Sequence, residues 1–257
     1  MAYALRSLAV TYADGADLHA HDHPWGQLIY AATGTMRVLA GDALWLVPQG
    51  RALWAPPRTT HEIEMRGEVQ MRTIYVAPER ADFLGESCRA VEVNTLLREL
   101  ILAIVATGKL EDAVPEHARL ADVFLDVLRK AESLPLALPM PRDQRALVLA
   151  NRLRDMPADD AQIEALARKA GASARTLQRI FRAETNMRFA EWRQRLRLLQ
   201  AVALLGDGAS VTEAGAEAGF ASTSAFIAAF RQQIGHTPAR YKRKPGLSGA
   251  VQKDKGR

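Results

Sequence analysis

The chain has 257 residues, 48% of them hydrophobic, and 34 Lys/Arg against 29 Asp/Glu for a net charge of +5, enough apolar mass for two globular cores. One cysteine, Cys88, excludes an internal disulfide and a cysteine-based zinc knuckle. No apolar run approaches the ~18 residues of a membrane helix, and the N-terminus lacks a basic segment followed by an apolar one, so a soluble cytoplasmic protein is expected.

Charge divides the chain. Residues 1–141 carry 13 Lys/Arg against 18 Asp/Glu, and residues 142–257 carry 21 against 11. An acidic front and a basic back point to contact with a polyanion through the back half alone.

From Leu28 to Val76 short apolar runs alternate with turn residues, including Thr33-Gly34, Gly41-Asp42, Gln49-Gly50, Pro56-Pro57 and Arg66-Gly67. Five or six strands at this even spacing predict an all-β sandwich or barrel over residues 1–90. His19, His21 and His23 precede the first run, Gln27 follows four residues after His23, and His61 follows the Pro56-Pro57 turn. Residues two apart on a strand share a face, so His21 and His23 can converge inside the barrel; His19 is read as a surface histidine.

The order His21, His23, Gln27, Gly34, then Pro57 to His61, resembles the two motifs of the cupin family, with Gln27 where that family usually has glutamate. The resemblance implies a site in which His21, His23, Gln27 and His61 hold one divalent metal: zinc, nickel, iron or manganese. The other reading of the same residues is a polar pocket wall for a small organic effector. Trp25, Arg51 and Trp54 are candidate pocket residues, with Trp45 and Arg58 as further candidates at the mouth.

Next, Asn94 can cap a helix ending at Gly108, with Leu97, Leu100, Ile101, Ile104 and Val105 as its apolar stripe. A second helix, roughly Glu116 to Ser133, places Leu120, Val123, Phe124, Val127 and Leu128 on one face. One stripe can cover the barrel and the other can join a second subunit, so residues 91–134 are a helical pair available for dimerisation. Residues 135–142, with three prolines, cannot be helical throughout and are expected to link two domains.

Residues 143–244 carry one helical unit twice. A shift of 48 positions places Ile163 on Val211 and Gly171 on Gly219; a shift of 49 places Leu177, Phe181 and Arg182 on Phe226, Phe230 and Arg231. Short helix, glycine turn, second helix is the shape of a helix-turn-helix. Asp159 with Gln162, and Ser210 with Glu213, fit a capping box. Ser173 and Ser222 can cap the second helix of each unit. Phe189 to Leu205 reads as one amphipathic helix with Trp192, Leu196, Leu199, Val202 and Leu205 inward and Arg193, Arg195 and Arg197 mostly outside. Such a spacer would set the two units about one DNA turn apart, roughly 34 Å. The tail, residues 245–257, is expected to be disordered.

The residues Gly219, Phe220, Ser222, Ser224, Phe226, Phe230, Arg231, Gly235, Thr237, Pro238, Tyr241 and Arg243 resemble the signature of AraC/XylS-type regulators, and the match covers about 100 residues. The chain is thus expected to be α+β in two domains: a cupin-like β-barrel with two helices, then an all-α tandem helix-turn-helix. The resemblance implies base contacts from Arg175, Gln178 and Arg179 in the first unit and from Thr223, Ser224 and Ile227 in the second. Ala228 stands where a polar residue is common. Ser173, Thr176, Arg182, Ser222 and Arg231 are expected at phosphates. Expected partners are double-stranded promoter DNA, a small-molecule or metal effector, a second copy of the chain and RNA polymerase, with no membrane and no catalysis. A metal-dependent cupin enzyme with a DNA-binding appendage, and an effector-independent DNA-binding protein, are the competing readings.

Overall fold

The computed structural model describes residues 3–243; the tail expected to be disordered lies outside them. The N-terminal half consists of β1 (Tyr3–Tyr12), β2 (Asp17–His21), β3 (Gly26–Ala40), β4 (Ala43–Val47), β5 (Arg51–Ala55), β6 (His61–Val76), α1 (Pro78–Ala81), β7 (Arg89–Glu92), α2 (Thr95–Thr107), β8 (Lys109–Glu111), α3 (Pro115–Lys130), β9 (Ser133–Leu134) and β10 (Ala137–Pro139). The C-terminal half is helical: α4 (Gln144–Asp155), α5 (Ile163–Lys169), α6 (Ala174–Thr185), α7 (Phe189–Gly206), α8 (Val211–Glu217), α9 (Thr223–Ile234) and α10 (Pro238–Arg243).

Two long antiparallel partners, β3 and β6, are the spine of the sheet. The apolar runs on either side of the expected Thr33-Gly34 turn are one strand, bent where its register shifts between Ala31 and Thr35. Gly34 permits that bend: its φ is +71°, and a Cβ there would lie 2.5 Å from the Glu68 carbonyl oxygen. The bend lets the first half of β3 pair with β5 and the second half with β4. Strand β6 likewise runs through the expected Arg66-Gly67 turn. The first 21 residues supply two further strands, β1 and β2, both on β6.

Alternation then sorts the side chains. Ile29, Met36, Val38, Leu53, Ile63, Met65, Val69 and Met71 fill the inside of the folded sheet. Leu28, Trp54, Ile74 and Val76 face outward onto Leu97, Ile101, Ile104, Phe124 and Leu128 of α2 and α3. Both helices therefore cover the same sheet, and neither main stripe is left for a second subunit. The buried stripe of α3 is Ala121, Phe124, Leu125 and Leu128, while Val123, expected inward, is 48% exposed.

A third core joins the halves. Leu44, Leu46 and Ala90 of the sheet pack in one cluster with Leu149, Leu153, Trp192, Leu196, Phe226 and Phe230. The proline-rich segment expected as a free link is non-helical, but β10 extends the sheet by pairing with β4, Leu138 opposite Leu44. An edge position tolerates Pro139, which has no N–H to offer.

Candidate effector site and nucleic-acid interface

His21 ends β2, His61 opens β6, and the two are register partners; His23 lies in the turn leading into β3. The ring centroids of His21 and His61 are 4.4 Å apart and those of His23 and His61 5.4 Å. One nitrogen from each ring lies within 4.8 Å of the others.

The other nitrogen of each ring is committed locally. The three Nδ1 atoms lie 2.8, 2.7 and 2.8 Å from the carbonyl oxygens of His19, Trp25 and Thr59 respectively. A carbonyl only accepts, so each Nδ1 carries a proton, and the neutral rings of His21 and His61 keep their lone pair on Nε2. Fixing the tautomer through a backbone carbonyl is how metal-ligating histidines are oriented. His61 is 1% exposed and its Nε2 has no hydrogen-bond partner. Burial pushes its pKa below the ordinary 6.5; the Thr59 carbonyl opposes this, and His21 and His23 add to it.

Gln27 is buried at the same end of the barrel. Its Nε2 donates to Thr73 Oγ1 (2.9 Å), and the Thr73 hydroxyl donates to the Leu28 carbonyl (3.1 Å). This relay turns Gln27 Oε1 toward His23 Nε2, 3.0 Å away. An amide oxygen facing an imidazole lone pair needs a proton or a cation between them. Three Nε2 atoms, one buried and unpartnered, plus an amide oxygen form a donor set suited to zinc, nickel, iron or manganese. Thr73 and Tyr75, whose ring meets His23 edge-on at 5.2 Å, escaped the sequence reading. Their signal is register: Tyr75 opposes Gln27.

Other expected pocket residues stand elsewhere. Trp54 is fully buried in the helix-facing core. Arg51 occupies the far end of β5, against Tyr241 and Glu92. Trp25 stacks its ring 4.9 Å from the Arg6 guanidinium and serves the histidines through its carbonyl. Trp45 is partly buried on the strand paired with β10. Arg58, at φ 58°, donates its backbone N–H to the His23 carbonyl (2.8 Å) and so ties the loop before His61 to the site. His19 is on the surface, 3.1 Å from Asp17, as expected.

In the basic half, Ser173 Oγ accepts from Thr176 N (3.0 Å) and Ser222 Oγ from Ala225 N (3.2 Å), so both second helices start where the capping signal places them. Ser210 and Glu213 form their capping box, but Asp159 accepts from Ala161 N and α5 begins at Ile163, capped by Gln162 without a side-chain bond. Leu177, Ile180 and Phe181 turn inward, leaving Arg175, Gln178, Arg179 and Arg182 exposed along one face of α6. None of these four has a hydrogen-bond or ion-pair partner among the described residues. Thr176 is half-buried and 2.8 Å from the Ser173 hydroxyl. On α9 the equivalent face shows Ser224, Ile227, Ala228 and Arg231, with Thr223 half-exposed at the start. Ile227, expected at the bases, is 36% exposed.

The arginines of α7 differ from expectation. Arg193 donates to the Ala161 carbonyl (2.9 Å), Arg195 to Ala137 (2.6 Å) and Pro135 (3.3 Å), and Arg197 to Pro157 (3.0 Å) and Asp159 (3.2 Å). They are struts holding loops, half-buried and committed.

Residues 9–166 match the family described as the AraC-like ligand binding domain, and residues 166–244 match a helix-turn-helix domain. The chain is 30% identical over 221 residues to the HTH-type transcriptional regulator NimR of Escherichia coli (strain K12), a match covering 86% of this chain and 81% of NimR. It is 32% identical over 218 residues to the HTH-type transcriptional regulator RipA of Corynebacterium glutamicum, covering 83% of this chain and 61% of RipA. To the HTH-type transcriptional activator RhaS of Escherichia coli (strain SE11) it is 24% identical over 242 residues, covering 87% of each. With a cupin-like sheet carrying three converging histidines and two helix-turn-helix units behind it, the chain belongs to the AraC family of transcription regulators, with an N-terminal ligand-binding domain and a C-terminal DNA-binding domain.

Proposed function

We propose that this regulator senses a divalent metal ion, or a small molecule that engages the same imidazoles, at the histidine end of its barrel, and reads its operator mainly through α6. The observation that supports the sensing half is the convergence of three imidazoles, one nitrogen of each within 4.8 Å of the others, with the His61 Nε2 buried and unpartnered. His21, His23 and His61, with Gln27, are the residues to hold the ion. A metal there would supply positive charge to four facing lone pairs. The protein's own contribution is orientation, through the carbonyls of His19, Trp25 and Thr59 and the Thr73 relay. A neutral glutamine in place of a carboxylate favours sensing over turnover.

For the DNA half, the support is a contrast in commitment. The α7 arginines are spent on carbonyls, while Arg175, Gln178, Arg179 and Arg182 are not. Arginine can bind guanine, and glutamine adenine, through paired hydrogen bonds. Thr223, Ser224 and Ile227 offer the second groove methyl contacts and one or two hydrogen bonds. Arg231 and the amides at the Ser173 and Ser222 helix starts face phosphates in this reading. The working assembly is a cytoplasmic homodimer that presents paired DNA domains to promoter and polymerase, with the domain boundary near residues 135–142.

The test is metal titration of the purified protein with operator affinity followed in parallel. One Zn(II) per chain is expected, lost in His61→Ala, with operator affinity changing about 5–150-fold on loading. If neither metals nor metabolites bind, the barrel is not a sensor.

A further inference from the structure

We infer that Arg51 and Tyr241 form a latch that docks the DNA-binding domain on the barrel and couples the second helix-turn-helix unit to the histidine site through β5. Its coupling half rests on the sensing role proposed for that site; its docking half does not.

Arg51 is 1% exposed, and its guanidinium sits 5.1 Å from the centre of the Tyr241 ring. Tyr241 is 2% exposed and belongs to α10, the last described helix of the DNA-binding domain. A buried guanidinium is costly unless it is well partnered. The partners of Arg51 are the Tyr241 face, the Gly50 carbonyl (3.0 Å from Nη1) and the Glu92 carboxylate at 3.9 Å. Its Nε and Nη2 make no hydrogen bond, so the ring face and the Glu92 charge are what offset its burial. An arginine used only as filler would be replaced at lower cost by a methionine; this one is held where the far domain supplies an aromatic face.

Tyr241 reaches further. Its ring meets Phe230 edge-on at 5.6 Å, and Phe230 meets Phe226 at 5.5 Å, so the seat of α9 includes the latch. At its other end β5 enters the histidine site. Ala55 opposes Gln27, and the residues that follow provide the Arg58 N–H for the His23 carbonyl and the Thr59 carbonyl for His61 Nδ1. All five residues of β5 are buried, so the strand has no slack and moves as a unit of about 16 Å.

Hydrogen exchange of the full chain tests the docking. In Arg51→Met/Glu92→Gln, which removes both charges of that pair together, amide exchange in α10 should rise about tenfold or more, while α2 keeps wild-type protection as the control for folding. Arg51→Lys and Tyr241→Phe, which keep the cation and the ring, should exchange as wild type. Unchanged α10 exchange in the double variant, or equal loosening in Tyr241→Phe, overturns the latch. Zn(II) titrations then test the coupling: the double variant should bind Zn(II) as wild type does, yet show no metal-dependent change in operator affinity. A full response in the double variant refutes the coupling. Absence of Zn(II) binding in wild type refutes the sensing role and the coupling together, and leaves the docking to the exchange result.

Discussion

His61 illustrates how surroundings set the protonation of one side chain. Its depressed pKa means that the folded chain binds fewer protons there than the unfolded chain. Stability is therefore full above about pH 6.5, and this contribution is lost as pH falls through the lower folded value. Thermal melts of metal-free protein between pH 7.5 and 5 should show this loss, and His61→Asn should flatten it. On the DNA side, Arg179→Ala should cost about 1–3 kcal/mol of specific binding and relax preference at one base position. Arg182→Ala should weaken all sequences alike and lower the salt slope by about one. Binding isotherms at several salt concentrations separate the two, and identical behaviour would show the roles misassigned. The convergence of His21, His23 and His61 was legible in sequence through the order of the two motifs, although His61 lies far along the chain from the other two. Arg51 and Trp54 were misplaced for a physical reason: β5 is buried on both faces, so no polar alternation tells the inside of the barrel from the outside.

At the scale of elements, capping chemistry and periodicity were reliable where a helix has one wet face. Asn94, Ser173, Ser210 and Ser222 cap as expected. Glycine turns were the weak point. Thr33-Gly34 and Arg66-Gly67 are bends within long strands, because a positive φ serves a bulge as well as a hairpin. The α7 arginines were read as solvated, since composition cannot show that unpaired loop carbonyls lie within their reach. Arg195→Ala should lower stability by about 1–3 kcal/mol by freeing two carbonyls of the proline-rich segment, measurable by urea denaturation. Gly219→Ala should cost about 1 kcal/mol or more, because its φ is +82° and a Cβ would meet Ala158 Cα at 2.8 Å. A wild-type melting curve for that variant would show the turn to be more pliable than described.

Across the whole molecule, three cores share one sheet: its interior, its helix-covered face, and the face that carries the DNA-binding domain. The two-domain plan and the class of each half were readable from the charge split and the repeat. The shared third core was not, because Leu44 and Leu46 look like ordinary barrel residues, and Leu138 like part of a link, until the partner domain is placed on them. The acidic half thus bears directly on the basic one, so a ligand at the barrel has a physical route to the DNA domain. No helix among the described residues is long and apolar enough to cross a membrane. Fluorescence anisotropy with the native upstream fragment and a scrambled duplex, at one physiological salt concentration, tests operator recognition most directly. The native fragment should bind about 10³-fold or more tighter. Equal affinity for the two duplexes, with or without Zn(II), would contradict recognition through α6 and α9.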